Sequence, residues 1–143
     1  MPRISANRVI SGTWGSVLVD GLDIAEVESL QAKVTYSKEN VQMARTMAVD
    51  KKILSTEGTG SIGLKHVYSR FGDFAKQIAA GKDVRCTIIS RLEDPDAYGA
   101  ERIALYNVSF DEHTLADWAV GKVGTKTVPF TFTEWEYLSE VTA

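Results

Sequence analysis

Val84-Arg85-Cys86-Thr87-Ile88-Ile89-Ser90-Arg91-Leu92, then Glu93-Asp94-Pro95-Asp96-Ala97-Tyr98-Gly99, then Ala100-Glu101-Arg102-Ile103-Ala104-Leu105-Tyr106-Asn107-Val108-Ser109-Phe110-Asp111 is the stretch on which the fold turns. Two runs rich in β-branched and aromatic residues flank an acidic segment of Asp, Pro and Gly, the composition of two strands joined by a turn. A further run, Thr125 to Tyr137, alternates Val128, Phe130 and Phe132 with Pro129, Thr131 and Thr133, the period of a half-buried strand. Pro129 removes a ladder donor, which places it at an edge, a strand start or a bulge.

Upstream, Gly12 to Asp20 puts Trp14, Ser16 and Leu18 on one face and Val17 and Val19 on the other, and Asp20-Gly21 is a hairpin signal. Ile24 to Tyr36 sets Leu30, Ala32, Val34 and Tyr36 against Gln31, Lys33 and Thr35, so these two segments are expected to pair as an antiparallel hairpin. Gly60 to Val67 reads as a short strand with Ile62, Leu64 and His66 on one face. Beyond it the period lengthens: Phe71, Phe74 and Ile78 form a helical stripe, with Ser69 as cap and Gly81 as stop, giving a helix over 69–81 that lies against the sheet. Glu112 to Val123, with Leu115, Trp118 and Val120 interrupted by Gly121, reads as a loop or short bridging element.

Ser37 to Glu57 stays open between two readings. Asn40 to Ala48 fits one or two helical turns with Asn40 as cap, and equally fits a long irregular excursion. Met43 and Met47 then form either an adaptable contact surface or part of the chain's own core. No solenoid-period repeat or low-complexity stretch is present. The residues thus describe one mainly antiparallel β domain, 1–143, with one packed α-helix.

At 143 residues, 44% apolar and 24% charged, the chain suits a single globular domain. A domain near that size buries roughly 68–70% of its unfolded surface, so no staples are needed. A formal net charge of −3, from 16 basic and 19 acidic residues, lacks the basic footprint of a nucleic-acid binder. The single Cys86 excludes an intrachain disulfide and suits a reducing compartment. Met1 to Arg8 has no apolar h-region, and no segment approaches the roughly 20 apolar residues of a membrane span. The expectation is a soluble chain made in the cytoplasm, without stable membrane insertion.

Catalytic and ligand chemistry is considered and set aside. Gly58-Thr59-Gly60-Ser61-Ile62-Gly63 spells G-x-G-x-x-G, with Asp83 at a tempting distance. The nucleotide fingerprint, however, needs a helix opening at its last glycine, and here an alternating strand follows. Close backbone approach or a bulge explains these glycines better. Glu93, Asp94 and Asp96 lack the Gly and Glu spacing of an EF-hand and match turn chemistry. His66 and His113 have no partner at metal spacing. No nucleophile elbow is present, and Cys86 in an apolar strand reads as an inert buried thiol. No enzyme activity, catalytic residue, metal or cofactor is expected.

The stretch Thr87 to Arg102 resembles the tail tube proteins of contractile phage tails, in the form found in the PBSX-type prophage of Gram-positive bacteria. So do Val108-Ser109-Phe110-Asp111, Leu115-Ala116-Asp117-Trp118, the ending Pro129-Phe130-Thr131-Phe132-Thr133, and the opening Asn7-Arg8-Val9-Ile10-Ser11-Gly12-Thr13-Trp14-Gly15. The likeness runs in order over nearly the whole chain and is weakest across Val41 to Leu54.

That resemblance implies a β-sandwich or partial barrel with one flanking helix, shared at fold level with type VI secretion tubes. It implies hexameric rings stacked into the inner tube of a phage tail or phage-tail-like bacteriocin, driven through the target envelope by sheath contraction. Sheath, baseplate and tail terminator proteins are the implied partners, DNA passage through the lumen is possible, and the assembled chain becomes part of the released particle. Closing sheets edge to edge removes the liability of unpaired strands. Stacking needs a second surface, expected at Ser37 to Glu57: Val41, Met43 and Met47 supply apolar contact, while Arg45, Lys51 and Lys52 meet acidic groups of the next ring. Gln31-Lys33-Thr35 and Thr131-Thr133 are candidate lumen faces. The competing expectation is a monomeric β-barrel binding module with Trp14, Trp118 and Trp135 around a small apolar ligand.

Overall fold

A computed structural model describes residues 3–142. Eight strands and one α-helix follow one another: β1 (Gly15–Val19), β2 (Leu22–Asp23), β3 (Val27–Gln42), β4 (Val49–Lys65), α1 (Gly72–Ala79), β5 (Cys86–Leu92), β6 (Glu101–Phe110), β7 (Thr125–Phe132) and β8 (Glu134–Ser139). The strand order is β2-β1-β5-β6-β7-β4-β3, every described pairing is antiparallel, and β8 pairs with β6 beside the main path.

The two strands read first in the sequence are the hinge of this arrangement. β5 and β6 pair from Leu92↔Glu101 to Cys86↔Val108, with one extra residue on β6 between Leu105 and Val108. Asn107 lies there at φ 56°, a left-handed conformation that Asn tolerates better than branched residues. Up to Tyr106 the far edge of β6 pairs with β8; from Ser109 it pairs with β7. The Asn107 amide donates to Thr133 Oγ1 at 3.0 Å, and Thr133 is the single residue between β7 and β8. The run 125–137 is therefore two strands broken at a corner, where the sequence reads as one.

That corner folds the open sheet over a single core. Val17 and Val19 of β1, Ile88 of β5, Leu105 and Val108 of β6, Ile62 and Leu64 of β4, and Val128, Phe130 and Phe132 of β7 are all buried within it. Pro129 sits within β7, but its β6 side faces Asp111, one residue beyond the end of β6. Asp111 N donates to its carbonyl at 2.9 Å; proline has no N–H to return that bond, and the β6–β7 ladder ends at this point.

The glycines of the G-x-G-x-x-G string are explained by aromatic packing. Gly58 pairs with Phe132 and Gly60 with Phe130. A Cβ on Gly58 would stand 2.5 Å from the Phe132 ring, and one on Gly60 would stand 2.6 Å from that of Phe130. Gly63 faces Ser29 at a register shift in β3, the bulge alternative.

Three expectations are corrected. The Asp20-Gly21 turn closes a hairpin with positive φ at both residues, but only onto the two-residue β2; the 24–36 segment pairs instead with β4. The segment 37–57 is neither helical nor a long irregular excursion: β3 and β4 run through it as a ladder from Ser37↔Ser55 to Gln42↔Val49, with one register shift between Ser37 and Lys38, leaving six residues as the tip. The helix starts at Gly72, and Ser69 does not cap it. Phe71 occupies the cap in a left-handed conformation because its buried ring packs on Phe110, 4.7 Å between centroids, while Arg70 forms a two-point ion pair with the buried Glu26. Tertiary packing here outweighs the local cap preference.

Candidate functional site

β7 covers β4 only from Gly58 to Lys65. From Glu57 to Val49 the only strand paired with β4 among the described residues is β3, so the distal hairpin extends past β7 as a two-stranded arm of about 30 Å. An isolated two-stranded hairpin is marginal in water, and a long one normally has something to lie against. Its surface is also more apolar than a solvated loop requires: Tyr36, Val49, Ile53 and Leu54 are exposed, and at the tip Met43 is exposed and Met47 is 98% exposed. The methionines therefore do not fill the core.

The six residues expected at the inter-ring surface all lie on this arm, in three groups. Met43, Arg45 and Met47 form the tip, where Arg45 takes φ 63°. Val41 pairs with Asp50 and shares its face with Lys52, which pairs with Glu39. Lys51 pairs with Asn40 on the opposite face. The tip residues come together, whereas the two lysines point to opposite sides.

The two polar strips singled out for the lumen are brought onto one surface. Lys33 pairs with Thr59, Thr59 with Thr131, and Thr131 with Ser109, a polar row on the face opposite Ile62 and Phe130. Among the described residues the outer edges at β2, β3 and β8 carry no further strand.

The groups considered for chemistry have structural occupations. Asp94 is buried, and its two oxygens accept from Ser11 N and Asp96 N, both at 2.9 Å. Glu93 is paired with Arg102. Cys86 is buried and its thiol is pushed up to about 12, first by burial and then by the charge of Asp20, which leaves it unreactive at neutral pH. His66 is exposed just past β4, and His113 lies against Lys126 at 3.4 Å. Burial, then the neighbouring ammonium, lowers the His113 pKa. Trp14, Trp118 and Trp135 lie exposed on separate elements and enclose no common cavity. No described helix is long and apolar enough to cross a membrane.

Sequence reasoning missed the Asn107–Thr133 corner, the Glu26–Arg70 pair, and the extent of exposure along Leu115 to Val123. For the last, a signal was present: apolar residues without a period, interrupted by Gly121 and Gly124.

A sheet with open edges and an apolar projecting arm presents its interaction surfaces on strands and loops rather than in a cleft. A sequence profile of the phage tail tube protein family matches residues 3–139. The phage-like element PBSX protein XkdM of Bacillus subtilis (strain 168) is 30% identical over 139 residues, covering 93% of this chain and 92% of that protein. This chain belongs to the phage tail tube protein family and is a structural, non-enzymatic component of a phage-type tail.

Solved structures agree on the fold. The tube-terminating cap of an anti-feeding prophage superposes with a TM-score of 0.72 at 9% identity, covering 97% of each chain. A chain of the sheath-tube complex of an extracellular contractile injection system does so at 0.71 and 9%, covering 96% of this chain and all of that one.

Proposed function

We propose that this chain, acting as one tube-subunit domain, forms closed head-to-tail rings of six that stack into the hollow inner tube of a contractile tail. The bare distal hairpin carries this reading, because a marginal ladder with exposed Met, Ile and Leu side chains gains stability only by lying against another subunit. The open edges of the sheet, among them β2 and β3, supply the ring contact, since edge-to-edge closure pairs free strands between subunits. Val41, Met43, Arg45, Met47, Lys51 and Lys52 supply the contact between rings.

The polar row Lys33–Thr59–Thr131–Ser109 is the wall best suited to a lumen. It is hydroxyl-rich with little net charge, so DNA can pass without being held. Sheath, baseplate and terminator proteins are the partners, a reading supported by fold neighbours drawn from a sheath-tube complex, a sheath/tube terminator and a baseplate. A neighbour at TM-score 0.52 comes from a gene transfer agent tail refined with C6 symmetry. Assembly takes place in the host cytoplasm before release of the particle.

Negative-stain electron microscopy of the concentrated protein, and of native particles from lysates, tests this. Six-fold rings or hollow tubes are expected, and a protein that stays monomeric and is absent from tail particles would overturn the reading. A second chain with Met43–Ala48 replaced by Asn-Gly closes the ladder at Gln42↔Val49 with a two-residue turn. It should keep the melting behaviour of the parent and lose the tubes. Normal tubes from it would remove the hairpin from the stacking contact.

A further inference from the structure

If the hairpin tip is one half of a stacking contact, the other half must be presented at the opposite end of the molecule. Stacking repeats one displacement, so the surface that leads in one copy meets the surface that trails in the next. The β4–β7 ladder fixes those two ends: it runs from Gly58↔Phe132, on the side of the tip, to Lys65↔Thr125. The connection between β6 and β7, residues 111–124, sits at this second end.

That connection carries a large exposed apolar surface. Leu115, Trp118, Val120 and Val123 are 89%, 79%, 93% and 80% exposed. Four large apolar side chains within nine residues of loop exceed the scattered exposure of an ordinary monomer surface. The loop is also held at both ends. Asp111 N donates to the Pro129 carbonyl and His66 N to the Gly124 carbonyl, each at 2.9 Å, and a turn joins Lys122 N to the Ala119 carbonyl at 3.3 Å. At its root lies a groove of about 280 Å³ walled by Phe74, Ile78 and Phe110, with Glu112 and His113 of the same connection on its rim. That volume accommodates one or two large side chains rather than a drug-sized ligand, whose pockets span roughly 300–1,000 Å³.

The charges are complementary as well. The tip and its flanks, residues 39–52, carry Arg45, Lys51 and Lys52 against Glu39 and Asp50, while the opposite end carries Asp111, Glu112 and Asp117 against Lys122, so the first is net basic and the second net acidic.

We propose that the receptor for the hairpin is a second copy of this chain: Met43 and Met47 of one subunit seat on Leu115, Trp118 and Val120 of a subunit in the adjacent ring. Arg45 faces the Asp111–Glu112–Asp117 carboxylates there. Trp118 is the anchor, a large aromatic surface onto which flexible thioethers can mould. The inference rests on the stacked-tube reading and names the partner of its hairpin.

Cysteine pairing in assembled tubes tests it with every anchor retained. One chain carries both Thr46→Cys, at the tip, and Ala119→Cys, in the loop; the native Cys86 is buried and inert. Mild oxidation should give a covalent ladder continuing well past six chains, because a contact between rings repeats along the tube axis. A ladder stopping at a closed ring would place the contact within rings and overturn the proposal. Tubes that form and oxidise without any ladder would overturn it too, while leaving the tube assignment standing. Parent protein that forms neither rings nor tubes would instead remove the tube assignment, and the proposal with it.

Should the double variant fail to fold, Trp118→Asp reads the same contact. Rings and monomer melting should be retained, with tube yield reduced about tenfold or more. Unchanged tube yield would sink the assignment of Trp118.

Discussion

The near and far halves of the β3–β4 hairpin are built from the same two strands in the same ladder, yet only one of them belongs to the core. In the near half, Ile62 and Leu64 lie in the core with Val17, Ile88 and Leu105, beside Val128 and Phe130 of β7, and Leu30 and Val34 pack against that core. In the far half, Ile53 and Leu54, adjacent at a register shift, are both exposed. The difference is the neighbour. β7 stops at Phe132 opposite Gly58, and beyond that line β4 pairs with β3 alone among the described residues. Burying a side chain of that size contributes roughly 1.5–3 kcal/mol. An arm that forgoes this several times over within the monomer is the part of the chain we propose regains it between subunits.

The sharpest way to break the comparison is to cut one large side chain on each side of that line. Phe130→Ala removes a ring that is fully buried over Gly60, and should cost about 3–5 kcal/mol in urea unfolding. Ile53→Ala, on the far half, should cost less than about 0.5 kcal/mol in the monomer and show its effect in tube yield. Comparable monomer losses from the two would mean that the arm folds back on its own core in solution.

Much of the near half was legible from the sequence, because Val128-Pro129-Phe130-Thr131-Phe132 and Ile62-Gly63-Leu64 alternate with the period that burial on one face imposes. The two strands of the second half and the turn between them were legible for the same reason. The far half was not. Asn40 to Ala48 contains Met, Ala, Arg and Gln, residues of good helix propensity, but Asn40, Val41 and Gln42 pair with Lys51, Asp50 and Val49, and the six residues 43–48 are left to close the hairpin as its tip. The corner at Asn107 and Thr133 was illegible for another reason. A bulge is set by which strands lie alongside, and a lone Asn inside an apolar run announces only that it could adopt positive φ. Of the surface proposed for stacking, the sequence singles out the segment 37–57 but leaves Met43 and Met47 between a contact surface and the core, and only the structure shows them exposed. The division of that surface into a tip and two opposed faces depends on register, which composition does not encode.

A smaller effect is expected at the root of the hairpin. Glu26, at 8% exposure, forms its two-point ion pair with Arg70, whose guanidinium also lies 4.9 Å from the centre of the Tyr68 ring. Removing one partner of a fully buried pair costs about 3–5 kcal/mol. Arg70 is one-fifth exposed, so Glu26→Gln should cost about 2 kcal/mol. The hydrogen bond from Arg70, opposed by burial, holds the Glu26 pKa below its ordinary 4.5. Its contribution is therefore fully present above pH 4.5 and fades as the pH falls through the lower folded value. Parent and variant melting curves should converge in acid. A gap that stayed constant from pH 7 to pH 3 would mean that the carboxylate charge is not what holds this junction.

The smallest effect concerns the inner face of β7 and has the opposite sign. Lys126 occupies the same inward-facing row as Val128, Phe130 and Phe132, opposite Leu64, and is only 7% exposed. Its ammonium lies 3.4 Å from His113 Nδ1, and it joins none of the described ion pairs. Burial accordingly lowers its pKa from 10.5. A buried cation without a carboxylate is a cost carried at neutral pH, so Lys126→Met, similar in length and apolar, should raise stability by about 1 kcal/mol at pH 7. Because the folded pKa is depressed, the parent gains stability as the pH rises toward 10.5, where the unfolded chain also gives up this proton. The advantage of the variant should therefore shrink between pH 7 and pH 10.5, which paired urea titrations would show. A variant less stable than the parent at both pH values would mean that Lys126 is held by a favourable contact and that the apolar row extends only from Val128. In that case the core of the near half ends one pair short of where its register places it.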